Sequence, residues 1–460
     1  MTTLATTALA AGWTGHDTRL IVATVLAIAV IVVLISKVKL HPLLALTLGS
    51  GALGLVAGMP VDKLLKSFTT GVGSTVASVG VLIAFGAMLG KLLADSGGAD
   101  RIVDTVLGRV RGPGLPWAMA LVAALIGLPM FFEIGLVMLI PVVLLVAKRS
   151  GKPVLLLGIP ALAGLSVLHG LVPPHPGPLA AAGSLNANVG LTLALGLLVG
   201  IPTVIIAGPL FGRLAAKMVP DATPPERLVP ESQSTDPQHR PSFAATLSTV
   251  LLPVVLMLAK ALSDILADKG NTVRRVLDFI GDPLVALLLA VLVGMVVLGR
   301  PARLNRERLS SVINDSLAPI AGIMLIVAAG GGFKQTLVDA GVGDVITSLS
   351  KGANLSPLLL GWLVAVAIRL ATGSATVATV SAAGIVAPLA ATLDPTHNAL
   401  LVLAVGAGSL FFSHLNDAGF WLVKEYFGMS VGQTLKSWSV METVISVVAI
   451  ALILPLGALL

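Results

Sequence analysis

The segment GAMLGKLLADSGGADRIVDTVLG (86–108) recurs later in the chain as GGGFKQTLVDAGVGDVITSLS (330–350). Asp95 of the first copy matches Asp339 of the second, 244 residues further along. An internal match at such a distance indicates that the chain consists of two related halves.

Each half also contains an interrupted apolar segment at an equivalent place. The first interruption is the proline-rich VPPHPGP (172–178), and the second is the polar SHLNDAGF (413–420). Both are followed by a G-x-T-L step, at residues 190–193 and 432–435. A duplicated apolar chain with helices broken at matching positions is typical of a secondary transporter.

The composition indicates an integral membrane protein. Of the 460 residues, 56% are hydrophobic and 11% are charged, too few charges to cover the surface of a soluble protein of this length. The 49 glycines and single tyrosine favour packed helices over a membrane β-barrel. The net charge of +7 arises from basic residues beside apolar runs, which indicates cytoplasmic loops and no nucleic-acid partner.

We therefore predict an all-α polytopic membrane protein with two inverted-topology repeats, containing about ten full crossings and two re-entrant helical hairpins. The N-terminal repeat, 1–216, is predicted to contain two leading helices, a third helix, a hairpin at 115–147, a broken helix at 153–187 and a helix at 190–211. The C-terminal repeat, 243–460, is predicted to contain a hairpin at 355–392 and a broken helix at 398–427.

The polar, proline-rich segment 217–242 is predicted to be a cytoplasmic linker between the repeats. With five full crossings and one re-entrant hairpin, each repeat crosses the membrane an odd number of times. The second copy therefore has the reverse orientation in the membrane. The excess of lysine and arginine in alternate loops places the N-terminus outside.

Ionisable groups within apolar segments are costly and are therefore candidates for function. Arg369 offers its guanidinium fork to a substrate carboxylate, although an ion pair with Glu133 or Asp417 explains it equally well. Beyond it, glycine and hydroxyl residues open a new half-helix, where free amides suit an anion but also suit ordinary capping. The residues of this tip predicted to bind substrate are Thr372, Gly373, Ser374 and Thr376.

The two breaks supply further predicted substrate contacts, His175 and Gly177 in the first and Asn416 in the second. His175 can also carry a proton or be hydrogen-bonded within the break. Asp417 and Glu133 are the predicted proton-coupling acids, because burial favours the protonated form of a carboxyl group. For Asp417 the alternatives are a permanent salt bridge with Arg369 and capping of the next helix.

Nothing in the sequence indicates an enzyme. Ser166 and His169 lie three residues apart on one apolar segment, which is more typical of packed polar groups than of a catalytic dyad. The chain has no zinc-protease, phosphate-loop or dinucleotide motif and no cysteine. Neither a metal nor a cofactor is therefore expected.

Three long strings resemble the gluconate permease (gluconate:proton symporter, GntP) family, within the ion-transporter superfamily. They are LVPPHPGPLAAAG (171–183), ATGSATVATVSAAGIVAP (371–388) and SHLNDAGFWLVKEYFGMS (413–430). The resemblance implies a multi-pass protein of the bacterial inner membrane that imports gluconate or a related small hydroxy acid with protons. It further implies alternating access by an elevator-like movement, and a homodimer in the lipid bilayer.

The substrate and the coupling ion are left open by these motifs. Relatives in the same family carry D-serine or D-glycerate, so an importer of either is an alternative. A sodium-coupled dicarboxylate carrier is a second alternative, because unwound backbone carbonyls also coordinate sodium.

Overall fold

The computed structural model describes residues 14–128, 132–224, 239–266, 268, 271–342, 345, 356–415 and 417–460. Every regular element within these ranges is a helix, which agrees with the predicted all-α class. The helices of the N-terminal half are α1 (Gly15–Ser36), α2 (Pro42–Ala57), α3 (Val61–Thr75), α4 (Val81–Asp95), α5 (Gly98–Arg109), α6 (Leu115–Gly127), α7 (Phe132–Ser150), α8 (Val154–Leu171), α9 (Pro176–Leu185), α10 (Val189–Ile205) and α11 (Phe211–Met218).

The helices of the C-terminal half are α12 (Phe243–Leu266), α13 (Thr272–Ile280), α14 (Pro283–Val297), α15 (Arg306–Asp315), α16 (Ala318–Asp339), α17 (Pro357–Thr372), α18 (Ala375–Ala390), α19 (Pro395–Ser409), α20 (Ala418–Tyr426), α21 (Val431–Thr434) and α22 (Val440–Leu459). Single π turns join α3 to α4, α10 to α11 and α21 to α22. The pairs α6–α7 and α17–α18 occupy the predicted hairpins. The pairs α8–α9 and α19–α20 occupy the predicted broken helices.

In the described part of the chain, six helical segments are long and apolar enough to cross a membrane, or up to eight if each of two bent pairs is one span. The bent pairs are α4 with α5, at 64°, and α13 with α14, at 68°. The chain is therefore a multi-pass membrane protein. Ten full crossings, the re-entrant course of the hairpins and the inverted orientation of the repeats stay predictions.

The interruptions follow from local backbone chemistry. Helix α8 ends just before Pro173 and Pro174, which have no amide hydrogen for the helical ladder, and Pro176 occupies the first turn of α9, where none is needed. Helix α17 ends at Gly373, whose φ of 74° is a left-handed conformation that glycine adopts without steric cost. The Ser374 hydroxyl then caps α18.

The broken helix α8–α9 lies at the centre of the molecule. Of its apolar 18-residue window 89% is buried, against 33–44% in the other five candidate spans. Helix α8 packs against α6, α7, α10 and α19, so both halves contribute to its surroundings.

Glycines allow α8 and α19 to cross at backbone contact. A Cβ atom at Gly406 of α19 would lie 2.0 Å from the carbonyl oxygen of Gly170 in α8. A Cβ atom at Gly170 would lie 2.5 Å from a methyl group of Leu410. The first broken helix of one half is thereby held against the equivalent helix of the other.

We predict that Gly406→Ala destabilises the protein by about 1–3 kcal/mol, the usual cost of overpacking, because a backbone oxygen is less free to move than a flexible side chain. Gly322→Ala in α16 is the matched control, since its added methyl group meets nothing within 4 Å. Thermal unfolding of both variants in detergent measures the effect. Equal melting temperatures for Gly406→Ala and the wild type would contradict the close crossing.

Candidate functional site

Arg369 joins the tip of the second hairpin to the second break. It lies in the last turn of α17 and is 3% exposed. Its Nη1 donates a hydrogen bond of 2.6 Å to the carbonyl oxygen of Gly373, and its Nη2 forms an ion pair with Asp417. The guanidinium therefore satisfies a backbone group exposed by the end of α17 and neutralises the carboxylate in front of α20.

Asp417 is held by several donors at once. One carboxylate oxygen accepts a bond of 2.8 Å from the amide of Gly419, so the side chain caps α20. The other accepts from Arg369 and from the hydroxyl of Ser413. Both alternatives left open by the sequence, the salt bridge and the cap, are present together, and the coupling role of Asp417 stays a prediction.

The second break is further braced by the π turn that precedes α22. Trp438 Nε1 donates a bond of 2.7 Å to Ser413 Oγ, and Ser439 Oγ donates to the Ser413 carbonyl oxygen. Ser413 thus connects the start of α22 to Asp417.

The hydroxyls of the hairpin tip make local hydrogen bonds. Thr372 donates at 2.8 Å to the carbonyl oxygen of Ile368 one turn back, and Ser374 accepts at 3.3 Å from the amide of Val377. Thr376 is partly buried on the first turn of α18. Ordinary capping accounts for Ser374, and substrate binding by these residues stays a prediction.

His175 lies in the first break between α8 and α9 and is 3% exposed. Its ring is hydrogen-bonded to the backbone of Gly127 at the end of α6, and the ring of His169 lies edge-on at 5.9 Å. Its Nε2 has no hydrogen-bond partner in the described part of the chain. His175 therefore joins the first break to the first hairpin.

The second half contains a comparable contact. The ring of His414, in the second break, is hydrogen-bonded to the backbone of Leu370 near the end of α17. In each half, a histidine of the break thus meets the helix that leads into the hairpin tip.

Gly177 lies where the first break packs against the C-terminal half. A Cβ atom on this residue, in the first turn of α9, would lie 3.7 Å from Thr379 Oγ1 of α18. The first break consequently packs on the helix that follows the second hairpin tip. Two predicted site residues lie outside the described part of the structure, namely the side chain of Glu133 and the whole of Asn416.

The sequence analysis missed Glu442. This residue lies in α22 and is 1% exposed, and its carboxyl group is hydrogen-bonded to Ser166 of α8. The sequence does mark Glu442 as a candidate, because it is the only ionisable residue in the apolar run SVMETVISVVAIALILP (439–455). Ser166 is thereby also explained as a packed polar group, as the sequence favoured.

A cavity of about 640 Å³ lies apart from Arg369, between α3, α9, α16 and the loops that follow α9 and α13. Lys334 of α16 lines it together with Thr75, Asn186 and Gln335. Lys334 is partly buried and forms no ion pair with any described residue. Lys260 and Asp282 also line the cavity and form an ion pair at 3.9 Å with each other. Beside that pair the cavity presents Lys334 and neutral polar groups, which suit a hydroxylated anion.

The apolar helices and the polar groups buried at their interruptions are those of a multi-pass membrane protein, and its family identifies it as a permease. The family model described as GntP family permease matches residues 19–460, so the chain belongs to this family, as its motif strings indicated. The family and its curated relatives are permeases and transporters rather than enzymes.

Several curated relatives match nearly the full chain. The gluconate permease of Pseudomonas aeruginosa is 51% identical, covering 97% of this chain and 99% of its own. The high-affinity gluconate transporter of Escherichia coli K12 is 44% identical, with coverages of 92% and 96%. The Gnt-II system L-idonate transporter of the same organism is 42% identical, with coverages of 94% and 98%.

Two solved structures share the fold at low sequence identity. The Alcanivorax borkumensis YdaH transporter superposes with a TM-score of 0.62 at 19% identity, covering 86% of this chain and 88% of its own. Neisseria gonorrhoeae MtrF, from a class of antimetabolite efflux pumps, gives 0.62 at 15% identity, with coverages of 92% and 96%. The chain therefore has a transporter fold.

We predict that Asp417→Asn destabilises the protein by about 3 kcal/mol, because removing one partner of a buried pair leaves the other charge uncompensated. Asp62→Asn is the matched control, since Asp62 is an exposed acid in the first turn of α3, where loss of its charge costs little. Thermal unfolding in detergent compares the two. Similar melting temperatures for both variants would contradict a stabilising role of the Arg369–Asp417 pair.

Proposed function

We propose that this chain is a secondary active transporter that imports gluconate or a closely related sugar acid together with protons. The observation that carries the proposal is the 51% identity to a curated gluconate permease over nearly the full length of both chains. The relative that carries L-idonate, at 42% identity, makes that sugar acid the second candidate substrate.

The buried polar atoms near the interrupted helices support binding of a hydroxylated carboxylate. Arg369 Nε, His175 Nε2 and Ser381 Oγ are buried without hydrogen-bond partners in the described part of the chain. Buried polar groups in proteins are normally paired, so unpaired ones call for a ligand or water. In our proposal the substrate carboxylate meets Arg369 and the tip at 372–376, and its hydroxyls meet His175, Gly177 and Asn416.

Lys334 and its cavity support a route of access for an anion. A partly buried ammonium group without a described acid partner attracts a carboxylate, and the neutral residues Thr75 and Asn186 beside it suit hydroxyl groups. We propose that the acid first binds in this cavity before it reaches the interrupted helices.

The membrane arrangement is part of the same proposal. We place the protein in the bacterial inner membrane as a homodimer, with inverted repeats and the N-terminus outside. The recurrence of interrupted helix pairs in the two halves supports repeats that move as units around a central site. Elevator-like movement of such a unit gives alternating access.

We predict that proteoliposomes containing this protein accumulate labelled gluconate under an imposed inward proton gradient. A protonophore is expected to abolish accumulation, and gluconate or L-idonate is expected to compete better than D-serine or D-glycerate. Accumulation driven by sodium alone would instead assign a sodium-coupled carrier. Flux without saturation or accumulation would assign a channel.

We predict that Lys334→Gln raises the KM for gluconate about tenfold with little change in the maximal rate, which corresponds to the loss of about one hydrogen bond to a charged group. Lys91→Gln is the matched control, because Lys91 pairs with Asp95 on an exposed helix face, where a salt bridge contributes little. Initial uptake rates over a range of gluconate concentrations measure both. An unchanged KM in Lys334→Gln would exclude the cavity from the substrate route.

A further inference from the structure

Glu442 is a buried carboxyl group that the proposed binding site does not use. It lies in the first turn of α22 and is 1% exposed. No other carboxylate is buried to this degree among the side chains that the structure describes. The side chain of Asp417, by comparison, is 15% exposed.

The contacts of Glu442 suit a neutral acid better than an ion. Its carboxyl group is hydrogen-bonded to the Ser166 hydroxyl, whereas its Oε1 has no partner in the described part of the chain. Within that part, no lysine or arginine forms an ion pair with it. Because a carboxylate buried without an adjacent cation is costly, burial favours the protonated form.

The charged groups that act on Glu442 are the members of one ion pair. Arg369 and Asp417 carry opposite charges and are paired with each other, so their effects on Glu442 offset each other in part. Helix α8 also presents His169, one turn beyond Ser166. His397 of α19 meets the far end of α22, where its Nε2 lies 2.8 Å from the carbonyl oxygen of Gly457.

Asp417 is less suited to carry a proton than Glu442. Its carboxylate is paired with Arg369, and it also accepts bonds from Ser413 and Gly419. Protonation of Asp417 would leave the buried guanidinium without its counter-ion, which is costly. Glu442 can gain or lose a proton without breaking an ion pair.

Glu442 is also placed to act on both breaks. Trp438 and Ser439, in the turn before it, hold Ser413 of the second break. Its partner Ser166 lies one turn from His169, whose ring meets His175 of the first break. A change of charge at Glu442 therefore acts on helices that reach both interrupted segments.

We infer that Glu442, buried in α22 and hydrogen-bonded to Ser166 of α8, is the proton-coupling residue of this permease. A hydronium ion on the side of higher proton concentration gives a proton to the Glu442 carboxylate and becomes water, and the protonated Glu442 crosses with the loaded site. On the other side the proton returns to water. The inference rests on the proposed function, because it assigns the acid for proton-driven uptake.

The test compares Glu442→Gln with the wild type in proteoliposomes, using labelled gluconate. Glutamine has the shape of the protonated acid and keeps a hydrogen bond to Ser166, so exchange of gluconate at equal pH is expected to persist. Accumulation driven by a pH gradient is expected to fall, because glutamine cannot take up and release a proton. The expected decrease is about tenfold or more, a size usual for the coupling between two binding events. Glu307→Gln, at an exposed position of α15, is the control and is expected to accumulate gluconate like the wild type.

The outcomes separate the two proposals. Equal gradient-driven accumulation by Glu442→Gln and the wild type overturns the inference, whereas a wild type that exchanges gluconate but ignores the pH gradient overturns proton coupling itself. If Glu442→Gln does not fold, Ser166→Ala provides the second variant. Loss of its hydrogen bond changes the surroundings of the carboxyl group and is expected to shift the external-pH midpoint of uptake, and an unchanged midpoint overturns the inference.

Discussion

Backbone groups bared at an interrupted helix must find partners within the protein, because the hydrocarbon core of a membrane offers none. Arg369 meets this constraint at the second hairpin by donating to the Gly373 carbonyl oxygen. Its charge then requires the Asp417 carboxylate, which in turn caps α20 and is held by Ser413. Each group in this chain of contacts satisfies the next, so the tip, the break and α22 depend on one another.

The same constraint explains why the two halves are interlocked rather than merely adjacent. Helices α8 and α19 approach to backbone contact at Gly170 and Gly406, and Gly177 places the first break against α18. Membrane interfaces use small residues in this way, because close packing replaces the hydrophobic effect as the source of attraction. Polar groups from each half consequently lie near the breaks of the other.

A carrier needs groups whose interactions differ between loaded and empty states, because a ligand shifts an equilibrium only by its differential affinity. The Arg369–Asp417 pair stabilises the fold, while Arg369 Nε has no partner in the described part of the chain and remains available to a substrate. Glu442 and Lys334 are different, since neither has an ion-pair partner among the described residues. In our proposal Arg369 therefore serves both the fold and substrate binding, whereas Glu442 and Lys334 serve transport.

The sequence by itself determined the helical class, the places where α8, α17 and α19 are interrupted, and the family. Hydrophobic runs, prolines and glycines act locally along the chain, so the places where helices form and end can be predicted without tertiary contacts. Only the tertiary structure decided which polar groups meet. It pairs Arg369 with Asp417 rather than leaving it free, and it buries Glu442 against Ser166, because partners distant in sequence are chosen by helix packing.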